Sequence, residues 1–199
     1  MGPPEPSTAI VPAFAEDDRT LVAAVLSRIP GSFEELVRRN QTLCWHIINR
    51  MVRHPEDTRD LCQETFIRVH KNLHQYRFES ALKSWIGQVA YSVAIRHLQR
   101  KRLPMTDVPW DDNIEVIEKS ASDIEFERQD ERLLAEMHLQ IEQLPATLRA
   151  ILTMYHLDNL SVGEIATITG LPAGTVKSHL FRCRAKLRER LQVFKDLNS

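Results

Sequence analysis

The chain has little from which a sheet is made. No sustained apolar–polar alternation bounded by turn residues appears in its 199 residues, so the period-two mark of a half-buried strand is missing. Cysteine is scarce. Cys44, Cys62 and Cys183 are odd in number and far apart, which argues against a disulfide framework and a Cys-x-x-Cys metal knuckle and leaves buried or half-buried thiols. The six glycines build no phosphate-cradling loop and no nucleophile elbow. Eight histidines form no His-Glu-x-x-His motif, and His70 with His74, spaced one helical turn apart, have no evident third ligand. No apolar run approaches the roughly 20 residues that span a bilayer. The stretch Met1 to Ala15 is proline-rich rather than basic and then apolar. These absences predict a cytoplasmic protein without membrane insertion, catalytic centre, metal or cofactor.

The net charge of −1 conceals a segregation along the chain. Residues 17–103 hold 15 basic and 9 acidic residues, a net of +6, while 104–131 hold 2 and 10, a net of −8. Residues 132–199 hold 9 basic and 6 acidic residues, a net of +3. A basic block offers phosphate contacts and an acidic one repels them, so DNA binding is expected from two separated modules.

What the sequence has in abundance is helical periodicity. Phe33, Leu36, Val37, Cys44, Ile47, Ile48 and Met51 fall on one stripe that stops before Pro55. A second helix is expected to open with Asp57 as its cap, carrying Leu61, Thr65, Val69 and Leu73 inward to about His74. A third is predicted over 81–102, with Leu82, Trp85, Ile86, Val89 and Val93 inward and Gln99-Arg100-Lys101-Arg102 at its end, stopped by Pro104. Residues 104–131 read as an acidic linker, extended and then helical. Beyond it, Leu133, Leu134, Met137, Ile141 and Leu144 mark a helix that Pro145 interrupts, and Leu148, Ile151, Leu152 and Tyr155 mark the next. The predicted architecture is all-α: a tail over 1–16, a helical domain over 17–103, the linker, and a second helical domain over 132–199.

The second domain carries the sharper local signal. Ser161 with Glu164 three residues later is a capping box opening a short helix, Val162 to Ile168; Gly170 supplies a turn and Pro172 suits the start of the next helix. That is a helix-turn-helix pattern. On the second helix Val176, Leu180, Cys183 and Leu187 lie within one narrow sector and face inward. The opposite side presents Gly174, Lys177, Ser178, Phe181, Arg182 and Ala185, a mixture of cation, hydroxyl and aromatic that suits phosphates, base edges and thymine methyls in a major groove. An amphipathic bundle helix with solvated outer charges is the plainer alternative, and the capped helix with its glycine turn is what weighs against it.

Two segments resemble regions two and four of the extracytoplasmic-function sigma factors, and together they cover most of residues 17–191. The stretch from Leu144-Pro145 through Glu164-Ile165-Ala166 to Gly174-Thr175-Val176-Lys177-Ser178 and Arg182 is similar to region four, which in that family reads the minus-35 promoter element. The resemblance implies that Thr175, Lys177, Ser178, Phe181 and Arg182 meet DNA. Asp57-Thr58-Arg59-Asp60-Leu61-Cys62-Gln63-Glu64-Thr65-Phe66 resembles the polymerase-binding motif of region two, which implies that Asp57, Asp60, Gln63 and Glu64 dock on core RNA polymerase. Capping serves Asp57 at least as well. Phe78 with Ser84-Trp85-Ile86 resembles the stretch that opens the minus-10 element; Tyr76 and Phe78, with Arg96, Arg100, Lys101 and Arg102, are the expected single-strand contacts, aromatics for bases and cations for the backbone. Trp85 lies on the inward stripe and is assigned to the core. Ser92 and Arg96 stand where that family often has Asn and Asp, which leaves base preference open. The resemblance also implies that the acidic linker threads through the polymerase.

Two regulatory readings compete. Arg59 stands where that family commonly has an acid, so a phosphate placed on Thr58 by a serine/threonine kinase would restore negative charge at the helix N-terminus; an anti-sigma protein, or control of expression, is the alternative. A rival for the whole chain is a stand-alone helix-turn-helix regulator that uses residues 17–103 for sensing or dimerisation.

Overall fold

The structure, a computed structural model, describes residues 17–101 and 131–198, with side chains over 17–101 and 135–192. Arg102, the acidic linker and the side chains of Leu133 and Leu134 lie outside these described residues. Within them the secondary structure is helical throughout. The expected all-α class holds.

The first module is a four-helix arrangement. Helix α1, Asp18–Leu26, was not read from the sequence; Asp17 caps it by accepting from the Arg19 amide at 3.2 Å, and Leu21, Val22 and Val25 are buried. The capping signal Asp17-Asp18 before an apolar run was there to be found. Helix α2, Ser32–Val52, buries Leu36, Cys44, Ile47, Ile48 and Met51 along the expected stripe. Helix α3 spans Pro55–Asn72, and its cap differs from expectation: His54, not Asp57, accepts the Asp57 amide at 3.3 Å. Proline explains the shift, because Pro55 has no amide to satisfy and its fixed φ suits the first helical position, so the helix starts three residues early. A short 3₁₀ turn, Leu73–Gln75, leads to helix α4, Leu82–Arg100. No side chain of its own caps α4; Asp18 of α1 reaches across and accepts the Leu82 amide at 3.1 Å.

The second module comprises α5 (Glu131–Glu142), α6 (Ala146–His156), α7 (Val162–Thr169) and α8 (Ala173–Asn198), with Pro145 between α5 and α6 as the pattern required. The modules do not hang apart. Helix α2 packs on α6 and α4 packs on α7, and their buried side chains form one continuous cluster. The close approach of α4 and α7 depends on Gly87, where an added Cβ would lie 3.0 Å from Ile168 Cδ1 and 3.4 Å from Ile47 Cδ1.

A buried guanidinium ties the seam between modules. Arg149 on α6 is 4% exposed; its Nε donates to the Arg50 carbonyl at 2.5 Å, and its Nη1 donates to the carbonyls of Glu142 and Leu144 at 2.7 and 2.8 Å. These oxygens belong to the last turns of α2 and α5 and to the turn after α5, where carbonyls lack helical partners. Burial pulls the Arg149 pKa down to about 10, still far enough above neutrality to keep the charge. Replacement Arg149→Met strips the Arg50 and Leu144 carbonyls of this donor and leaves that of Glu142 only its bond from Arg53 Nη1 at 3.1 Å, and urea titration should show a loss of about 2–4 kcal/mol. Lysine should recover only part of it, since one ammonium does not fork to both helix ends.

Candidate nucleic-acid interface

The proposed docking residues on α3 divide into two groups. Asp60 and Gln63 are exposed. Glu64 is half-buried and pairs with Arg68 one turn on. Asp57 is drawn inward: its Oδ2 lies 2.7 Å from Lys101 Nζ, 3.5 Å from His54 Nδ1 and 3.6 Å from His97 Nε2. The hydrogen bond from Lys101 holds the Asp57 carboxyl below the usual carboxylate range, while burial depresses the His97 pKa. So Asp57, expected to face polymerase, and Lys101, expected to track DNA, meet each other and tie the start of α3 to the end of α4.

Thr58 requires a correction. Its side chain is fully buried, and its hydroxyl donates to the His54 carbonyl at 2.8 Å, with Asn49 Oδ1 at 3.5 Å. The hydroxyl secures the first turn of α3 against α2 and is closed to a kinase while that turn is intact. Beside it, Arg59 and Gln63 border an open groove of about 770 Å³ between α2 and α3, lined by Phe33, Val37, Trp45 and Phe66 with Ile67 exposed at its edge.

The expected stacking aromatics form one cluster with unequal members. Tyr76 is buried, donates its hydroxyl to the Ser80 carbonyl at 2.5 Å, and packs 4.6 Å from Phe78 and 5.3 Å from Trp85. Its ring is thus committed to the core instead of being offered to a base, because the loop folds back over the start of α4. Phe78 is half-buried, held at a positive φ of 60° and covered by the Arg19 guanidinium at 4.6 Å. A left-handed phenylalanine is strained backbone that the surrounding contacts must hold in place. Arg19 is the residue the sequence reading missed. Trp85 is half-buried and packs on the core, as the inward stripe implied. Arg96 and Arg100 are exposed, with Arg96 folded back on Ser92 at 2.9 Å.

In the second module the local pattern is realised closely. The Ser161 hydroxyl accepts the Glu164 amide at 3.2 Å and Glu164 Oε2 accepts the Ser161 amide at 2.8 Å, completing the capping box. Glu164 Oε1 also lies 2.6 Å from Lys83 on α4, and that contact pulls the Glu164 carboxyl down to about 2. Gly170 makes the turn at φ 72°, a left-handed conformation in which any side chain is strained. Along α8, Val176, Leu180 and Cys183 are buried and Leu187 packs behind them, which leaves Lys177, Ser178, Phe181 and Arg182 exposed and Thr175 at the margin. Phe181 stays 39% exposed, so the ring belongs to the outer face. Burial pushes the Cys62 thiol up to about 11 and Cys183 up to about 12, and raises Cys44 further, so all three are unreactive thiols at neutral pH.

A helical bundle packed beside a capped helix-turn-helix defines a two-module all-helical protein. The sequence model described as Sigma-70 region 2 matches residues 36–103, and that described as Sigma-70, region 4 matches 134–187. The chain is 33% identical over 184 residues to the RNA polymerase sigma-H factor of Pseudomonas aeruginosa, covering 89% of this chain and 95% of that one. It is 34% identical over 185 residues to the ECF RNA polymerase sigma-E factor of Escherichia coli, covering 88% and 94%. Among solved structures it resembles CnrH in complex with the cytosolic domain of CnrY, with a TM-score of 0.61, 20% identity and coverage of 92% and 99%. It also resembles the sigma factor RpoE in complex with the anti-sigma factor NepR from Bartonella quintana, with a TM-score of 0.60, 18% identity and coverage of 82% and 98%. The chain belongs to the sigma-70 family of RNA polymerase sigma factors, in its extracytoplasmic-function group. Members of that family are transcription initiation factors.

Two substitutions test this local reading. Ser161→Ala removes a cap and should lower stability by about 1 kcal/mol in urea titration without changing the helix content. At position 58, valine should be tolerated within about 1–2 kcal/mol, whereas Thr58→Glu places a charge in a site without a cationic partner and should cost about 3 kcal/mol or more.

Proposed function

We propose that the chain is an alternative sigma factor that binds core RNA polymerase and directs initiation at a specific class of promoters in the cytoplasm. The observation that carries this reading is α8. Its inner residues Val176, Leu180 and Cys183 are sequestered, α7 is capped and turned by Gly170, and the outer Lys177, Ser178, Phe181 and Arg182 are exposed. In this reading Lys177 and Arg182 meet phosphate or guanine edges, Ser178 and Thr175 fix register, and Phe181 meets a thymine methyl of the minus-35 element. Asp60, Gln63 and Glu64 dock on polymerase. Phe78, with Arg96 and Arg100, holds the unpaired minus-10 strand, and Tyr76 acts by positioning Phe78.

For control, an anti-sigma protein fits better than a kinase. The groove beside Gln63 is open and apolar, whereas Thr58 is reached only after the first turn of α3 unwinds. Of the solved structures described above, one is of a sigma factor, RpoE, with the anti-sigma factor NepR, and the other is of CnrH with the cytosolic domain of CnrY.

Run-off transcription with purified core polymerase on a promoter library tests the reading. Specific initiation supports it, whereas tight duplex binding without polymerase, and no polymerase binding, would mark a stand-alone regulator. Lys177→Ala should weaken minus-35 binding and reduce the slope of log affinity against log salt by about 0.9. The pair Asp60→Lys and Gln63→Ala should weaken core binding by about tenfold or more, about 1.4 kcal/mol, in a polymerase titration that contains no DNA.

A further inference from the structure

The aromatic loop before α4 has a cation built onto it from another element. Arg19, in the first turn of α1, lays its guanidinium over the Phe78 ring, with Cζ 4.6 Å from the ring centroid. Three contacts fix it there. The neighbouring Asp18 carboxylate accepts the Leu82 amide at 3.1 Å and so pins the start of α1 to the start of α4. The 3₁₀ turn over Leu73–Gln75 packs on α1. Tyr76 backs Phe78 at 4.6 Å, with its own hydroxyl held by the Ser80 carbonyl.

The hydrogen-bonding capacity of this guanidinium is unspent. Arg19 is exposed, and no group among the described residues accepts a hydrogen bond from its side chain. The two carboxylates beside it are turned to backbone amides, Asp17 to that of Arg19 at 3.2 Å and Asp18 to that of Leu82. A guanidinium carries five N–H donors in a planar fork that matches two phosphate oxygens at once. Resting its face on a ring leaves those donors pointing outward from the edge. The backbone under the ring adds a second observation. At φ 60° Phe78 carries strain that glycine would not. The chain keeps a large half-buried ring at a position where the backbone favours no side chain at all, which marks the ring as used.

We propose that Arg19 is a phosphate-contacting residue of the minus-10 site, and that Arg19 and Phe78 act as one unit in which the ring meets an unpaired base and the guanidinium clamps the phosphate beside it. This rests on the sigma-factor reading, in which Phe78 meets the unpaired strand. In the free protein the guanidinium covers the ring. When the strand enters, the pair divides: the base takes the ring face and the phosphate takes the fork. Strand entry then exchanges one partner of the ring for another, and the ring serves to aim the cation beforehand.

The test is the salt dependence of strand binding. The probe is a short single-stranded DNA carrying the non-template minus-10 sequence of a promoter selected by run-off, and its binding to the complex of the full chain with core polymerase is followed by fluorescence anisotropy. Arg19→Gln keeps a polar stem and removes the charge. Its plot of log affinity against log salt should be shallower than the parent's by about 0.7, the value of one phosphate contact to a single strand, so the gap between the two proteins closes by about fivefold for a tenfold rise in salt. Arg19→Lys should restore most of the slope. An unchanged slope in Arg19→Gln, whatever the affinity, overturns the proposal and leaves Arg19 as a cover for the loop. Phe78→Gly supplies the second arm, since glycine adopts the same φ without strain and the loop should keep its path. In that background Arg19→Gln should change the slope distinctly less, because the cation has lost the ring that aims it; an undiminished change overturns the claim that the two act as a unit. Binding by the unsubstituted protein is scored first. A parent complex that holds the strand no better than core polymerase alone fails the sigma-factor reading and this proposal with it, whereas a parent complex that binds makes the slopes bear on Arg19 alone.

Discussion

The burial of Ile168 against Gly87 is the contact on which the arrangement turns. Helices approach this closely only where one of them lacks a Cβ, and the missing atom on α4 is what lets α7 settle without a gap. Once α7 is seated, the ionic rim follows: Lys83 reaches Glu164, and α6 comes near enough to α2 for Arg149 to satisfy the helix-end carbonyls of Arg50, Glu142 and Leu144. Glu164 therefore serves two purposes at once, closing the capping box of its own helix and anchoring that helix to the other module. Local order in the helix-turn-helix and the relative placement of the modules share one carboxylate.

The first module shows the same economy. Asp18 caps α4 from outside, Arg19 covers Phe78, and Tyr76 backs that ring with its hydroxyl fixed on Ser80. The result is one aromatic, Phe78, held in a strained conformation at the edge of the core. Asp57 is likewise spent inside the molecule, since its ion pair with Lys101 joins the start of α3 to the end of α4 and so sets the angle at which Asp60 and Gln63 face outward.

Much of this was legible beforehand, and the reasons differ by element. The helix-turn-helix could be read almost residue by residue because its determinants are local: a capping box spans four residues, a left-handed glycine is one residue, and a helical stripe repeats every three or four. The cap of α3 was misplaced because Asp57 was taken for it on residue type alone, whereas Pro55 sets the first helical position and leaves His54 as the cap. Thr58 was read as a first-turn residue that a kinase could modify; Asn49 of α2 lies 3.5 Å from its hydroxyl and the side chain is buried, which no spacing reveals. Tyr76 and Phe78 looked equivalent in a loop sequence, and only the path of the loop buries one ring and leaves the other at the edge.

Sequence alone determined the all-helical class, the two modules, the separation of basic and acidic blocks, and the inner and outer faces of α8. Each of these is set by periodicity, capping or charge count within a short window of chain. Tertiary structure decided which of the candidate residues are free to act. Asp57 and Lys101 neutralise each other across 44 positions, Thr58 is sealed by a neighbouring helix, and the two modules close on a glycine 81 residues before the isoleucine it accommodates. Such pairings depend on where helices cross. That is fixed by the summed packing of the whole core, and no local stretch of sequence contains it.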